Sequence, residues 1–127
     1  MNLKTFKEAS RTTDFAISSE IFLKPETTAE MIREAANLLR EHVSGVLVTD
    51  NQYGNVHMST IAAASLLISS GADPIVQLTC RNRNRIALLS ELPGLRAHPG
   101  AVGRKAALYR RGQAGGVVRS VGEAVLA

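Results

Sequence analysis

Apolar residues arrive along this chain in short blocks whose spacing changes from one block to the next. Phe15-Ala-Ile-Ser-Ser-Glu-Ile-Phe22 alternates loosely between apolar and polar positions, the period of a strand, and Pro25 ends it. Thr27 with Glu30 three residues later has the spacing of a capping box. The helix it predicts runs to about Arg40, with Met31, Ala35, Leu38 and Leu39 on one face. Gly45-Val-Leu-Val-Thr49 is a continuous aliphatic run, the kind that suits a strand buried on both faces of a parallel sheet. Asp50 to His57 is a polar loop punctuated by Gly54. Ser59 is placed to cap a second helix from Thr60 to about Ser69, and Gly71 is its natural stop. Pro74 to Leu78 predicts a third strand, aliphatic except for Gln77. Asn82 or Arg83 to Leu92 predicts a third helix.

The predicted order is β-α-β-α-β-α. Strands alternating with helices of ten to fourteen residues argue for parallel crossovers in an α/β fold. Open doubly wound sheets and closed eight-fold barrels both begin this way, and periodicity does not choose between them. From Pro93 onward the pattern changes. Seven of the ten glycines lie between Gly94 and Gly122. Ala101 to Arg111 has helical character, Val117-Val118 is short for a strand, and His98-Pro99-Gly100 is a turn signal where a fourth strand would be due.

Hydrophobic residues make up 45% of the 127 residues, a globular proportion and room for one domain. With no Trp, two Tyr and three Phe, the core must be aliphatic. No apolar run approaches the ~20 residues of a membrane span, and the opening residues lead into polar sequence rather than a signal-peptide core. The single cysteine, Cys80, excludes an intrachain disulfide and fits a reducing cytoplasm. The net charge of +4 is divided unevenly. Residues 1–80 carry six Lys/Arg and nine Asp/Glu, whereas residues 81–127 carry nine Lys/Arg and two Asp/Glu. A basic tail of this kind suits nucleic acid or an acidic partner, although Arg110-Arg-Gly112 lacks the interleaved aromatics of a nucleic-acid site.

Candidate chemistry collects at the predicted strand ends. Glu20 stands near the end of the first strand beside apolar Ile21 and Phe22. A carboxylate there could act as a general acid, since partial desolvation favours the protonated form; it could equally be a surface residue. Thr49, Asp50, Asn51 and Gln52 follow the second strand and suit a polar ligand, or else an Asx-turn leading to the next helix. Alternation puts Gln77 and Thr79 on one face of the third strand and Val76 and Leu78 on the other. Cys80 is more simply a small buried hydrophobe than a nucleophile. Arg81, Arg83 and Arg85 alternate with Asn82 and Asn84 at a helix start, where they could bind phosphate or pair with nearby acids. His42, His57 and His98 are scattered, without metal-ligand spacing, and no phosphate-binding glycine motif is present.

Val48-Thr-Asp-Asn-Gln52, Met58-Ser59 and Gln77-Leu-Thr-Cys-Arg-Asn-Arg-Asn-Arg85 together resemble the methylenetetrahydrofolate reductase family. The resemblance covers about Phe15 to Leu92, roughly three-fifths of the chain. It implies the first three βα units of a TIM-type (β/α)8 barrel, truncated, with an irregular basic C-terminal tail. It implies FAD at the C-terminal ends of the strands and NAD(P)H as electron donor. The reaction implied is reduction of the folate substrate, 5,10-methylenetetrahydrofolate, to 5-methyltetrahydrofolate. Glu20 matches the family's acid, which protonates the folate as its methylene bridge opens. Thr49 matches a threonine at the flavin, Asp50 falls in the same cofactor-binding turn, and Gln77 stands where many of the reductases have a histidine near the flavin.

The chain departs from the family's pattern at several points. Leu23-Lys24-Pro25 replaces a Pro-Pro pair, Asn82 an Asp, Leu89 a Gln and Pro93 a Leu, and the Arg/Thr-Gly-Asp turn after the fourth strand is absent. A β/α barrel closes with about 250 residues. Residues 1–92 therefore read as the N-terminal part of such a barrel, inactive alone, with open edges that a homo-oligomer would cover. Residues 93–127 read as a tail with the composition of out-of-frame GC-rich DNA. The other two frames beyond Leu92 are then expected to recover a fourth strand and its acidic turn. Two rivals stand beside this expectation. One is a non-enzymatic α/β protein with a basic tail for nucleic acid or a partner. The other is a barrel that uses folate or another pterin for methyl transfer without flavin.

Overall fold

A computed structural model of the chain describes residues 5–12, 15–97 and 106–109. Its elements in chain order are α1 (Phe6–Ala9), β1 (Ser18–Ile21), α2 (Ala29–Leu39), β2 (Gly45–Thr49), α3 (Thr60–Ser69), β3 (Pro74–Thr79), α4 (Arg85–Ala97) and β4 (Ala106–Tyr109). The strands form one parallel sheet in the order β1-β2-β3-β4. This is a small α/β fold in which each new strand is added on the same side of the last. Among the described residues no helix is long and apolar enough to cross a membrane.

Strand alternation divides the sheet into two faces. Val46 and Val48 of β2, with Val76 and Leu78 of β3, are almost wholly buried. They pack in one cluster with Ile32 and Ala36 of α2 and with Ala63, Ala64 and Leu67 of α3. Because α3 lies on β2 and β3 and also packs beside α2, both helices cover this face. The opposite face carries Glu20, Leu47, Thr49, Ile75, Gln77 and Thr79, by the same alternation and by the register that pairs Leu47 with Ile75 and Thr49 with Gln77.

α2 is rotated from the expected orientation. Ile32 and Ala36 are buried, whereas Met31 and Leu38 are 48% and 73% exposed. The Ile32-Ala36-Leu39-Val43 row continues past the helix end into the core; the row through Met31, Ala35 and Leu38 meets His42 instead, and the longer apolar row wins. The cap also lies one residue later than expected. Thr28 accepts from Met31 N, whereas Thr27 Oγ1 accepts from Lys24 N at 2.8 Å.

α3 begins and ends as its sequence predicts. Ser59 caps it, and Gly71 at φ +82 turns the chain so that Gly71 N and Ala72 N donate to Ile68 O and Leu67 O. That pair of bonds is a Schellman stop.

α4 differs at both ends from the prediction. Asn84 Oδ1 accepts from Ala87 N at 2.8 Å, so the helix starts at Arg85 rather than Asn82 or Arg83. It then runs through Pro93 to Ala97, across the boundary expected at residue 92. A mid-helix proline removes one backbone bond. Buried Leu95 and half-buried Leu92 anchor the helix on both sides of that gap. Ala106–Tyr109, expected to be helical, is a strand paired in register with Val76–Thr79. The tail is thus not wholly irregular, and the sheet has four strands rather than three. Val117-Val118 lies outside the described residues.

The N-terminal helix α1 is not apparent in the apolar pattern. Thr5 and Glu8 cap it reciprocally, and Phe6 N donates to Asp73 Oδ2 at 2.9 Å, just before β3. Gly45 opens β2 beneath it: a Cβ there would fall 2.9 Å from Ile75 Cδ1 and 3.0 Å from Phe6 Cβ. Gly45→Ala is therefore expected to push α1 off the sheet and cost about 1–3 kcal/mol, as overpacking does, read as a lowered unfolding midpoint. An unchanged midpoint would show that α1 is not held there.

Candidate functional site

Glu20, Thr49 and Gln77 meet across three adjacent strands, near the C-terminal ends and on the face away from α2 and α3. Thr49 and Gln77 are register partners. Glu20 pairs with Leu47, which puts its side chain diagonally next to Thr49. Thr49 Oγ1 lies 2.8 Å from Glu20 Oε1 and 3.3 Å from Gln77 Oε1. A hydroxyl has one proton and accepts through its lone pairs. It donates over the shorter distance to Glu20, and Gln77 Oε1 is the second, more distant acceptor beside it. The three side chains thus form a chain of polar groups at the edge of an aliphatic sheet. The apolar shielding expected of Glu20 is not found, since the residue is exposed.

Asp50, the next residue after Thr49, alternates to the other side and is only 6% exposed. Its Oδ2 accepts from Thr79 N at 3.1 Å and pairs with the Arg83 guanidinium. Arg83 Nε in turn faces Glu91 Oε2 of α4 at 2.9 Å. Asp50 therefore ties the end of β3 and the β3–α4 loop to the end of β2, and its carboxylate is engaged within the protein. Arg83 takes the ion-pair role, not the phosphate role, of the two open to it. Arg81 and Arg85 remain exposed, and Cys80 is a half-buried free thiol.

The β2–α3 loop is held by its own side chains. Asn51 N donates to His57 Nε2 at 2.8 Å, which leaves Nδ1 to carry the proton and donate to Met58 O at 2.6 Å. Asn51 Nδ2 donates to Asn55 O at 2.8 Å. These bonds hold Asn51 and Tyr53 at φ 43 and 57, left-handed conformations that cost a non-glycine residue roughly 1–2 kcal/mol each. His57, scattered from the other histidines in sequence, is thus a clasp on this loop. The signal for it was the run Asn-Gln-Tyr-Gly-Asn, whose turn-forming residues predict tight backbone geometry.

Among the described residues no group of three or more His, Cys, Asp or Glu side chains could hold a metal ion. Thr49 and Gln77 are half-buried. With Glu20 they offer hydroxyl, amide and carboxylate groups to a ligand lying over the strand ends. Comparison with protein-family models, with curated proteins and with solved structures finds no match to this chain.

Proposed function

We propose that this chain carries the opening βα units of a flavin-dependent oxidoreductase of the methylenetetrahydrofolate reductase type. The observation that carries the proposal is the hydrogen-bonded set Glu20–Thr49–Gln77 at the strand ends. Three of the four residues singled out by the family resemblance come from three different strands, and the fold brings them into contact. The sheet order gives further support. Four parallel strands added in chain order, without reversal, are what a β/α barrel requires, whereas a doubly wound sheet reverses direction at its ligand site. Barrel enzymes place their chemistry at the C-terminal ends of the strands, where this set lies.

FAD fits the site as half-buried polar groups on an otherwise aliphatic sheet. Thr49 and Gln77 would hold the ring through their hydroxyl and amide. When bound, the flavin supplies hydride transfer between the nicotinamide donor and the folate. Glu20, exposed and joined to the set through one oxygen, would deliver the proton to the folate nitrogen as the methylene bridge opens. Asp50 supports the site from behind by fixing the ends of β2 and β3 against each other. Folate is the expected small-molecule partner.

The test is bleaching of FAD's visible absorption by NADH or NADPH in the presence of the barrel completed by its later βα units, followed by recovery on adding 5,10-methylenetetrahydrofolate. Bleaching and recovery at rates that depend on the protein are expected. Bleaching without recovery would leave a flavin reductase of another substrate class. Neither bleaching nor FAD binding would overturn the proposal.

A further inference from the structure

Two aromatic residues follow the Glu20 set along the chain. Phe22 follows Glu20 by two residues, just past the end of β1, and Tyr53 lies four residues after Thr49, in the β2–α3 loop. Phe22 is 38% and Tyr53 86% exposed. Their ring centroids are 6.3 Å apart and their planes are inclined by 55°, a tilted pair rather than a parallel stack. Tyr53 holds its exposed position on left-handed backbone, clamped by the Asn51–His57 and Asn51–Asn55 bonds. Left-handed strain at a ring displayed so fully to water is the kind of backbone outlier that clusters at ligand sites.

We infer that Phe22 and Tyr53 form an aromatic wall that takes a planar heteroaromatic ring of the substrate, the folate in the proposal above, on which this inference rests. The size of the patch selects the class of ligand. Two rings bury about 150–250 Å² each, well short of the ~800 Å² that each partner contributes to a stable protein interface. The neighbouring groups refine the choice. Glu20 offers its exposed carboxyl from the strand that leads into Phe22. A heteroaromatic ring with its face on Tyr53 carries polar edge atoms toward that carboxyl.

The experiment is calorimetric titration of folic acid, and separately of FAD, into the wild-type chain, Tyr53→Phe and Tyr53→Gly. Glycine removes the ring and also relieves the left-handed strain, so the Tyr53→Gly protein keeps its fold. Wild type and Tyr53→Phe are expected to bind folic acid alike. Tyr53→Gly is expected to bind it about tenfold more weakly, the scale of one lost aromatic stack, with FAD affinity unchanged. Equal folic acid affinity in all three proteins, with FAD bound, would overturn the wall and leave the oxidoreductase proposal standing. Failure of wild type to bind either molecule would overturn both.

Discussion

In the completed barrel of the proposed oxidoreductase, Glu20→Gln is expected to lower the rate of methylenetetrahydrofolate reduction by about a hundredfold or more while leaving FAD binding unchanged. General acid catalysis by a positioned side chain is worth about 10²–10⁴-fold. Glutamine keeps the oxygen that accepts from Thr49 Oγ1 at 2.8 Å, so the geometry of the set persists. What it lacks is a proton to give. The loss is therefore expected in the folate half of the reaction, with NAD(P)H-driven bleaching of the flavin proceeding at the wild-type rate. Stopped-flow absorbance separates the two halves. Equal loss in both would mean that Glu20 positions the flavin rather than serving the folate.

Asp50→Ala is expected to be the most destabilising single change at the site, costing about 3 kcal/mol. The side chains of Asp50 and Arg83 are 3% and 15% exposed, so removing the carboxylate leaves a largely buried guanidinium with Glu91 alone. It also leaves Thr79 N without its acceptor. Breaking one partner of a buried pair costs about 3–5 kcal/mol, and the surviving Glu91 contact places this case at the lower end. Asp50→Asn keeps an oxygen for Thr79 N and is expected to lose less. Urea unfolding is the measurement: the midpoint should fall with the slope unchanged. A loss below about 1 kcal/mol in Asp50→Ala would show that water replaces the carboxylate there and that the pair is not a tie between β2 and α4.

Much of the fold is legible in the sequence, and the exceptions have physical causes. β2 and α3 are predicted to the residue because an unbroken aliphatic run and a cap-to-glycine segment each admit one interpretation. The face of α2 is misjudged because two apolar rows lie one residue apart on the helix, and only tertiary packing selects between them. α4 extends beyond its prediction because Leu92 and Leu95 reward continuing the helix more than Pro93 penalises it. β4 is obscured because Ala106–Tyr109 has little of the β-branched character that marks a strand. Its place is set by pairing with β3.

The site is legible in part. Alternation puts Gln77 and Thr49 on one face from sequence alone, but the diagonal contact with Glu20 depends on the stagger of β1 against β2, which no single strand encodes. Asp50 shows the opposite case. Next to Thr49 in sequence, it belongs to the same polar turn, yet a one-residue step along the chain turns it to the other side, where the Arg83 guanidinium and the backbone N of Thr79 engage it. The Phe22–Tyr53 wall is the least legible feature, because it depends on a left-handed turn that places two distant residues side by side.

Titration of FAD into the chain, followed by quenching of flavin fluorescence, tests the central claim most directly, with Thr49→Val and Gln77→Leu titrated alongside. Saturable quenching by wild type, weakened about tenfold in each variant through loss of one hydrogen bond to the ring, is the predicted result. Quenching of equal strength in all three proteins, or none in wild type, would contradict a flavin site at the ends of β2 and β3.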